Sequence, residues 1–197
     1  MRLRDIVRSF FFGALVAGFC VGPRSAVGQA QHASTDAKAL RMIGFMTDFD
    51  VRDDAVGICK AVMNGVAPGV RVLDITHQVT PYDIAEGARF LAGSAPYFPD
   101  DAVFVVVVDP TVGSARKAII AKSQKGQFFV LPDNGLLTLV QDRDGIVGAR
   151  EILNPEWMIG AKTSSTFHGR DIFSPAGRIW LVGMTGPRRG RWWMSRS

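Results

Sequence analysis

The stretch 102-AVFVVVVDPTVGSAR-116 decides how the rest of the chain is read. Residues 103–108 are almost wholly β-branched or aromatic, and the run is too short for an ordinary helix. That pattern predicts a strand buried on both faces. Pro110 has no N–H to donate and disfavours helical geometry at Asp109, so sheet pairing must stop there. A carboxylate is left at the strand's carboxyl end, ahead of Gly113 and Arg116. In open α/β sheets that edge is where ligands bind.

Upstream, Met42 to Met46 predicts a first short strand that ends in Thr47-Asp48-Phe49-Asp50. Asp53-Asp54 suit the positive end of a following helix, in which Ala55, Ile58, Cys59, Val62, Met63 and Val66 recur at helical spacing until Pro68-Gly69. Val70 to Ile75 predicts a second strand. Thr80-Pro81-Tyr82-Asp83 then opens a helix with Ile84, Ala88, Leu91 and Ala92 on one face. Strand, helix, strand, helix, strand is the rhythm of a parallel sheet with crossover helices. It brings Asp48, the 74–77 segment and Asp109 to one rim. Downstream, Ala118 to Ala121 and Phe128 to Leu131 predict a hairpin across Ser-Gln-Lys-Gly. A short helix follows through Leu136, Leu137 and Val140, then a strand from Ala149 to Leu153 and a polar segment, Thr163 to Asp171.

The chain has 197 residues, 47% of them hydrophobic, which suits one ordinary domain with a packed core. Arg2, Arg4 and Arg8 precede the apolar run Phe10 to Gly22, and Gly28-Gln29-Ala30 offers a small-x-small cleavage site, so residues 1–30 read as a secretory signal peptide. An uncleaved inner-membrane anchor is the competing reading. Either places the body in the periplasm or outside the cell, or holds it at the membrane through this segment alone. Residues 31–40 form a polar linker, and 41–176 the α/β domain. From Gly177 to Ser197 a Gly, Arg and Trp-rich run abandons the alternation, reading as an exposed basic tail or as sequence that has left its original frame. Against a net charge of +5 for the whole chain, residues 1–30 carry +3 and residues 188–197 carry +4, leaving the body between them at −2. No basic face for nucleic acid is expected. Once the signal is removed Cys59 is the sole cysteine, which excludes an internal disulfide and a cysteine-clustered metal site.

Several residues carry two readings. Asp48 at a strand end serves equally as a turn-making side chain or a ligand contact, and Asp109 with Arg116 as a loop-stabilising ion pair or a site. His77 is read as satisfying its own loop backbone. His168, in Thr166-Phe167-His168-Gly169-Arg170-Asp171, has an approachable ring beside glycine; structural and catalytic roles both remain open. Arg170 and Asp171 read as a local pair and helix cap, and Asn134-Gly135 as a turn or a site loop. No Gly-x-Gly-x-x-Gly after the first strand, P-loop, His-Glu-x-x-His or Gly-x-Ser-x-Gly occurs, which removes support for the common nucleotide and hydrolase chemistries.

Four separated stretches together resemble one family: Thr47-Asp48-Phe49 with Asp53-Asp54; Asp74-Ile75-Thr76-His77 with Pro81-Tyr82-Asp83-Ile84; Val108-Asp109-Pro110-Thr111-Val112-Gly113 with Arg116; and Pro132-Asp133-Asn134-Gly135 with Phe167-His168-Gly169-Arg170-Asp171. In this order they resemble the S-adenosyl-L-methionine hydroxide adenosyltransferases, relatives of the fluorinating and chlorinating enzymes. The resemblance implies a Rossmann-like layered α/β domain, conversion of S-adenosyl-L-methionine and water to adenosine and L-methionine, and no cofactor or metal. It implies that Asp109, Arg116 and His168 activate water, that Asp48 holds the ribose hydroxyls, that Asp53 grips the methionine amine, and that Tyr82 lines sugar and base. Asn134 falls in a matching site loop. The halogenating branch has an aromatic residue and a hydroxyl where this chain has Asp109 and Val112, which favours water over halide. Asp50 and Thr111 stand where the family has glycine, so strain is expected beside Asp109. The resemblance also implies a homotrimer, and a C-terminal β-barrel domain that this chain, so read, lacks. The rival functions are a non-catalytic nucleoside-binding or assembly fragment and an S-adenosyl-L-methionine-dependent halogenase.

Overall fold

The computed structural model describes residues 42–160 and 163–177. The expected signal peptide, the expected linker and the tail beyond Gly177 lie outside the described residues. The chain divides into two units, Met1–Asp36 and Ala37–Ser197, and every described residue belongs to the second.

Six strands form one mixed sheet in the order β2-β1-β3-β5-β4-β6. They are β1 (Met42–Thr47), β2 (Arg71–Thr76), β3 (Val103–Val107), β4 (Ala118–Ser123), β5 (Phe128–Pro132) and β6 (Ile146–Glu151). β2, β1, β3 and β5 are parallel; β4 runs antiparallel between β5 and β6, as the hairpin pattern requires. The helices are α1 (Ala55–Val66), α2 (Ile84–Ser94) and α3 (Thr138–Asp144).

All five residues of β3 are buried, because helices cover both faces of the sheet. Side-chain alternation splits the core into two layers. Val103, Val105 and Val107 join Ile43 and Phe45 against Val56, Cys59 and Met63 of α1 and against Ile172 and Phe173. Phe104 and Val106 join Met46, Phe129 and Leu131 against Leu91 of α2 and Val140 of α3. α1 therefore leads from β1 to β2 across one face, and α2 returns from β2 to β3 across the other. β1 and β3 are neighbours whose connections depart in opposite directions, and this is the switch point at which open α/β sheets form a crevice.

Every strand has at least one limit displaced by one to three residues from the sequence expectation, and two of these shifts have a visible cause. β3 stops at Val107, one residue early, because the Asn134 side-chain amide donates to the Val108 carbonyl at 2.9 Å and takes the place of a neighbouring strand. β6 begins at Ile146 rather than Ala149, because Gly145, at φ 66°, ends α3 and turns the chain straight into the strand. Cys59 is buried and free.

Candidate active site

Thr47 of β1 is paired with Val107 of β3, so Asp48 and Asp109 emerge side by side at the carboxyl ends of adjacent parallel strands. Beyond them is an open cavity of about 360 Å³ lined by Asp48, Phe49, Pro81, Tyr82, Val107, Asp109, Val112, Thr166, His168 and Gly169. The volume suits a small-molecule ligand.

Asp109 is held from behind. Arg116 Nε lies 3.0 and 2.8 Å from its two carboxylate oxygens, and Arg116 Nη2 also donates to Oδ2. The same Nη2 donates to His168 Nδ1 at 2.7 Å. A guanidinium has no acceptor, so Nδ1 must be unprotonated and a neutral ring carries its hydrogen on Nε2. Burial first, and then the adjacent Arg116 charge, push the His168 pKa below its ordinary value. Arg116 is nearly buried, stacks over Phe173 at 5.3 Å, and is not among the lining residues: it orients the carboxylate and the imidazole that do face the cavity. The ion pair thus ties the loop and turns its Asp109 end toward the cavity.

His168 is brought to the rim by a turn of π-helix, Gly169–Phe173, and such turns recur at functional sites. The buried Asp171 secures that turn. It pairs with Arg170 Nε at 2.6 Å and accepts from the Ser164 N–H at 2.7 Å, pinning the 163–167 segment over the cavity. Gly113, at φ 79°, lies so close beneath this segment that a Cβ would stand 2.4 Å from the Ser165 carbonyl oxygen. Glycine is required there on both counts. Thr111 does not adopt a left-handed φ, so the strain expected beside Asp109 is absent; Asp50, at φ 62°, does adopt one.

On the opposite wall the Asp48 carboxylate accepts from the Tyr82 backbone N–H at 3.0 Å. Burial raises its pKa, opposed by that hydrogen bond, and the nearby Asp109 charge raises it further. Tyr82 holds a left-handed φ of 67° and leaves its ring largely exposed at the cavity mouth. Asp53 and Asn134 are not brought into the cavity. The Asp53 carboxylate caps the Ala55 N–H at 3.0 Å on an exposed loop, and Asn134 braces β3 from behind while lining a separate depression between α3 and β4. His77 departs from its sequence reading: its ring bonds to the Thr47 hydroxyl rather than to loop backbone. Sequence reasoning also missed Phe49, Thr166 and Gly169 as lining groups, although each adjoins a residue it had singled out.

A family model described as SAM hydroxide adenosyltransferase N-terminal domain matches residues 43–186. The chain belongs to that family. Among the relatives of this adenosyltransferase-family chain, a protein of Salinispora arenicola named (R)-S-adenosyl-L-methionine hydrolase is 47% identical over 134 residues, covering 68% of this chain and 50% of its own. One of the same name from Thermus thermophilus is 37% identical, covering 74% and 58%. A protein of Actinoplanes sp. named fluorinase is 31% identical, covering 66% and 51%. The chain thus spans about half the length of the curated relatives it matches. The crystal structure of an uncharacterized conserved protein from Thermotoga maritima superposes with a TM-score of 0.74 at 42% identity, covering 78% of this chain and 60% of that one. Among the described residues no cluster of three or more His, Cys, Asp or Glu could hold a metal ion.

Proposed function

We propose that this chain provides the water-activating part of an enzyme that cleaves S-adenosyl-L-methionine to adenosine and L-methionine. The observation that carries the reading is the Asp109–Arg116–His168 cluster facing Asp48 across the switch-point crevice. A water oxygen attacks C5′ in line with sulfur; the C5′–S electron pair leaves on sulfur as a neutral thioether. Asp109 accepts the water's proton and later releases it to solvent. No acid is needed at the leaving group, and the reaction so written draws on no cofactor. Catalysis consists of orienting one water and removing its proton, through the carboxylate that Arg116 fixes and the imidazole N–H beside it.

Charge supports the nucleophile and the substrate together. Two carboxylates border the cavity, no Lys or Arg is among its lining residues, and Arg116 is paired behind Asp109. Such a wall attracts a sulfonium and repels a halide ion, and it offers a proton acceptor that halide attack would not use. Asp48, with one oxygen tied to the Tyr82 N–H, is suited to accept from a vicinal diol, as in the ribose of the substrate. The proposal extends to export through residues 1–30, supported by the arginine-flanked apolar run, and to a homotrimer, supported by the family resemblance and by the open side of the cavity. Mass spectrometry of the exported protein and sedimentation test these two points.

The central test is chromatography of the products. Adenosine and methionine should appear in equal amounts from S-adenosyl-L-methionine without halide. Asp109→Ala should lower the rate by at least about 10²-fold while adenosine binding by calorimetry persists. Methionine release that requires halide would transfer the assignment to a halogenase, and nucleoside binding without turnover would leave a binding module.

A further inference from the structure

Outside the cluster, His77 is a nearly buried polar group, its side chain only 4% exposed and its ring meeting Phe45 edge-on at 4.8 Å. Its Nδ1 lies 3.0 Å from the Thr47 hydroxyl, and its Nε2 lies 3.2 Å from an Asp74 oxygen. Lys60 Nζ holds the other Asp74 oxygen at 2.5 Å. The direction of this chain follows from its ends. The Phe49 N–H donates to Thr47 Oγ1 at 3.2 Å, and the hydroxyl hydrogen is free to point at Nδ1. The reverse arrangement, with the hydrogen on Nδ1, would set a bare Nε2 lone pair against a carboxylate. Burial, the largest influence on its pKa, favours the neutral ring, and the contacts place that ring's hydrogen on Nε2 toward Asp74.

What this ring surrounds is Asp48. Thr47 before it accepts from Phe49 after it, through a hydroxyl that His77 orients. The His77 carbonyl accepts from the Asp50 N–H at 2.7 Å, holding Asp50 in its left-handed conformation. The Thr47 carbonyl in turn accepts from Val79 at 3.4 Å. Residues on both sides of Asp48 are thus anchored to the 77–79 segment, and the direction of the carboxylate is fixed from outside the cavity.

We propose that His77 is a positioning residue that aims the Asp48 carboxylate at the diol of the bound nucleoside. It makes no contact with substrate and acts through Thr47 and the turn. The proposal rests on reading Asp48 as the diol-binding carboxylate. Calorimetry of the full chain with adenosine and with 2′,3′-dideoxyadenosine tests it. His77→Ala should weaken adenosine about tenfold and the dideoxy analogue by less than about twofold, the size of effect expected from one misdirected hydrogen-bonding group. His77→Asn, whose side-chain oxygen can accept the Thr47 hydroxyl in place of Nδ1, should recover most of the loss. Thr47→Val, which keeps the shape and removes the hydroxyl, gives the same selective loss if His77→Ala does not fold. Equal weakening of both ligands, or unchanged adenosine binding, would overturn the proposal. If the unmodified chain binds both analogues alike, the diol reading fails instead. The positioning claim is then decided by amide ¹H–¹⁵N spectra, where shifts at Asp48, Phe49 and Asp50 in His77→Ala that revert in His77→Asn uphold it, and unmoved amides refute it.

Discussion

At the scale of single residues, the proton on His168 is assigned by its partner. Because Arg116 can only donate, the imidazole that completes the cluster is neutral, and protonating it would replace a hydrogen bond by two facing cations. The charged groups acting on this ring are Arg116, which disfavours its protonation, and Asp109 and Asp171, which favour it; burial, the largest influence, and Arg116 together prevail. The folded pKa therefore lies below the ordinary 6.5. Adenosine formation should be flat above about that pH and should fall as acidification carries the ring through its depressed pKa. His168→Asn preserves an acceptor for Arg116 without a titrating group, so it should keep measurable activity and lose the acidic limb, whereas His168→Ala should lose about 10²-fold. An Asn variant as inactive as the Ala variant would show that the ring's basicity, not its acceptor, is what the reaction uses. Sequence alone singled out Asp48, Asp109, Arg116 and His168, since each departs from an apolar pattern at a strand or helix end. It could not show that Arg116 stands behind the carboxylate, or that Asp53 and Asn134 are committed to backbone groups, because those facts depend on side-chain direction within loops.

At the scale of elements, the loop before α2 links helix stability to the site. Asp83 caps the helix by accepting from the Glu86 N–H at 2.8 Å, and Glu86 reaches back to the Thr80 N–H at 2.6 Å. This reciprocal arrangement holds the 80–83 turn, from which the Tyr82 N–H reaches Asp48. Asp83→Ala should cost about 1 kcal/mol in denaturant unfolding. It should also weaken nucleoside binding, since the Tyr82 donor loses its support; a stability loss without any binding change would separate the two. The strands and helices were legible because their apolar periods are clean and Pro110, Pro68-Gly69 and the Ser-Gln-Lys-Gly turn punctuate them. The π-turn that carries His168 was not. Its signature is a hydrogen-bond offset, Ser174 N to Gly169 O, that no residue pattern announces.

At the scale of the whole molecule, the position of the crevice follows from topology alone. Two parallel neighbours whose crossovers take opposite faces leave an uncovered gap at their carboxyl ends, and the sequence rhythm from β1 to β3 already implied it. β3 is buried on both faces and has a neighbour on each side, whereas β2 at the sheet's border leaves Leu73 and Asp74 exposed. Native-state hydrogen exchange should therefore be slowest at residues 104–106 and at least about tenfold faster in β2. Equal protection in the two strands would mean that the sheet opens only as one unit.

The contact between Arg116 and His168 spans 52 positions along the chain, with β4, β5, α3 and β6 all lying inside that interval. Closing so long a loop is entropically costly, and the rewards for doing so come late. A nascent or refolding chain can then possess most of its sheet before the imidazole reaches the guanidinium.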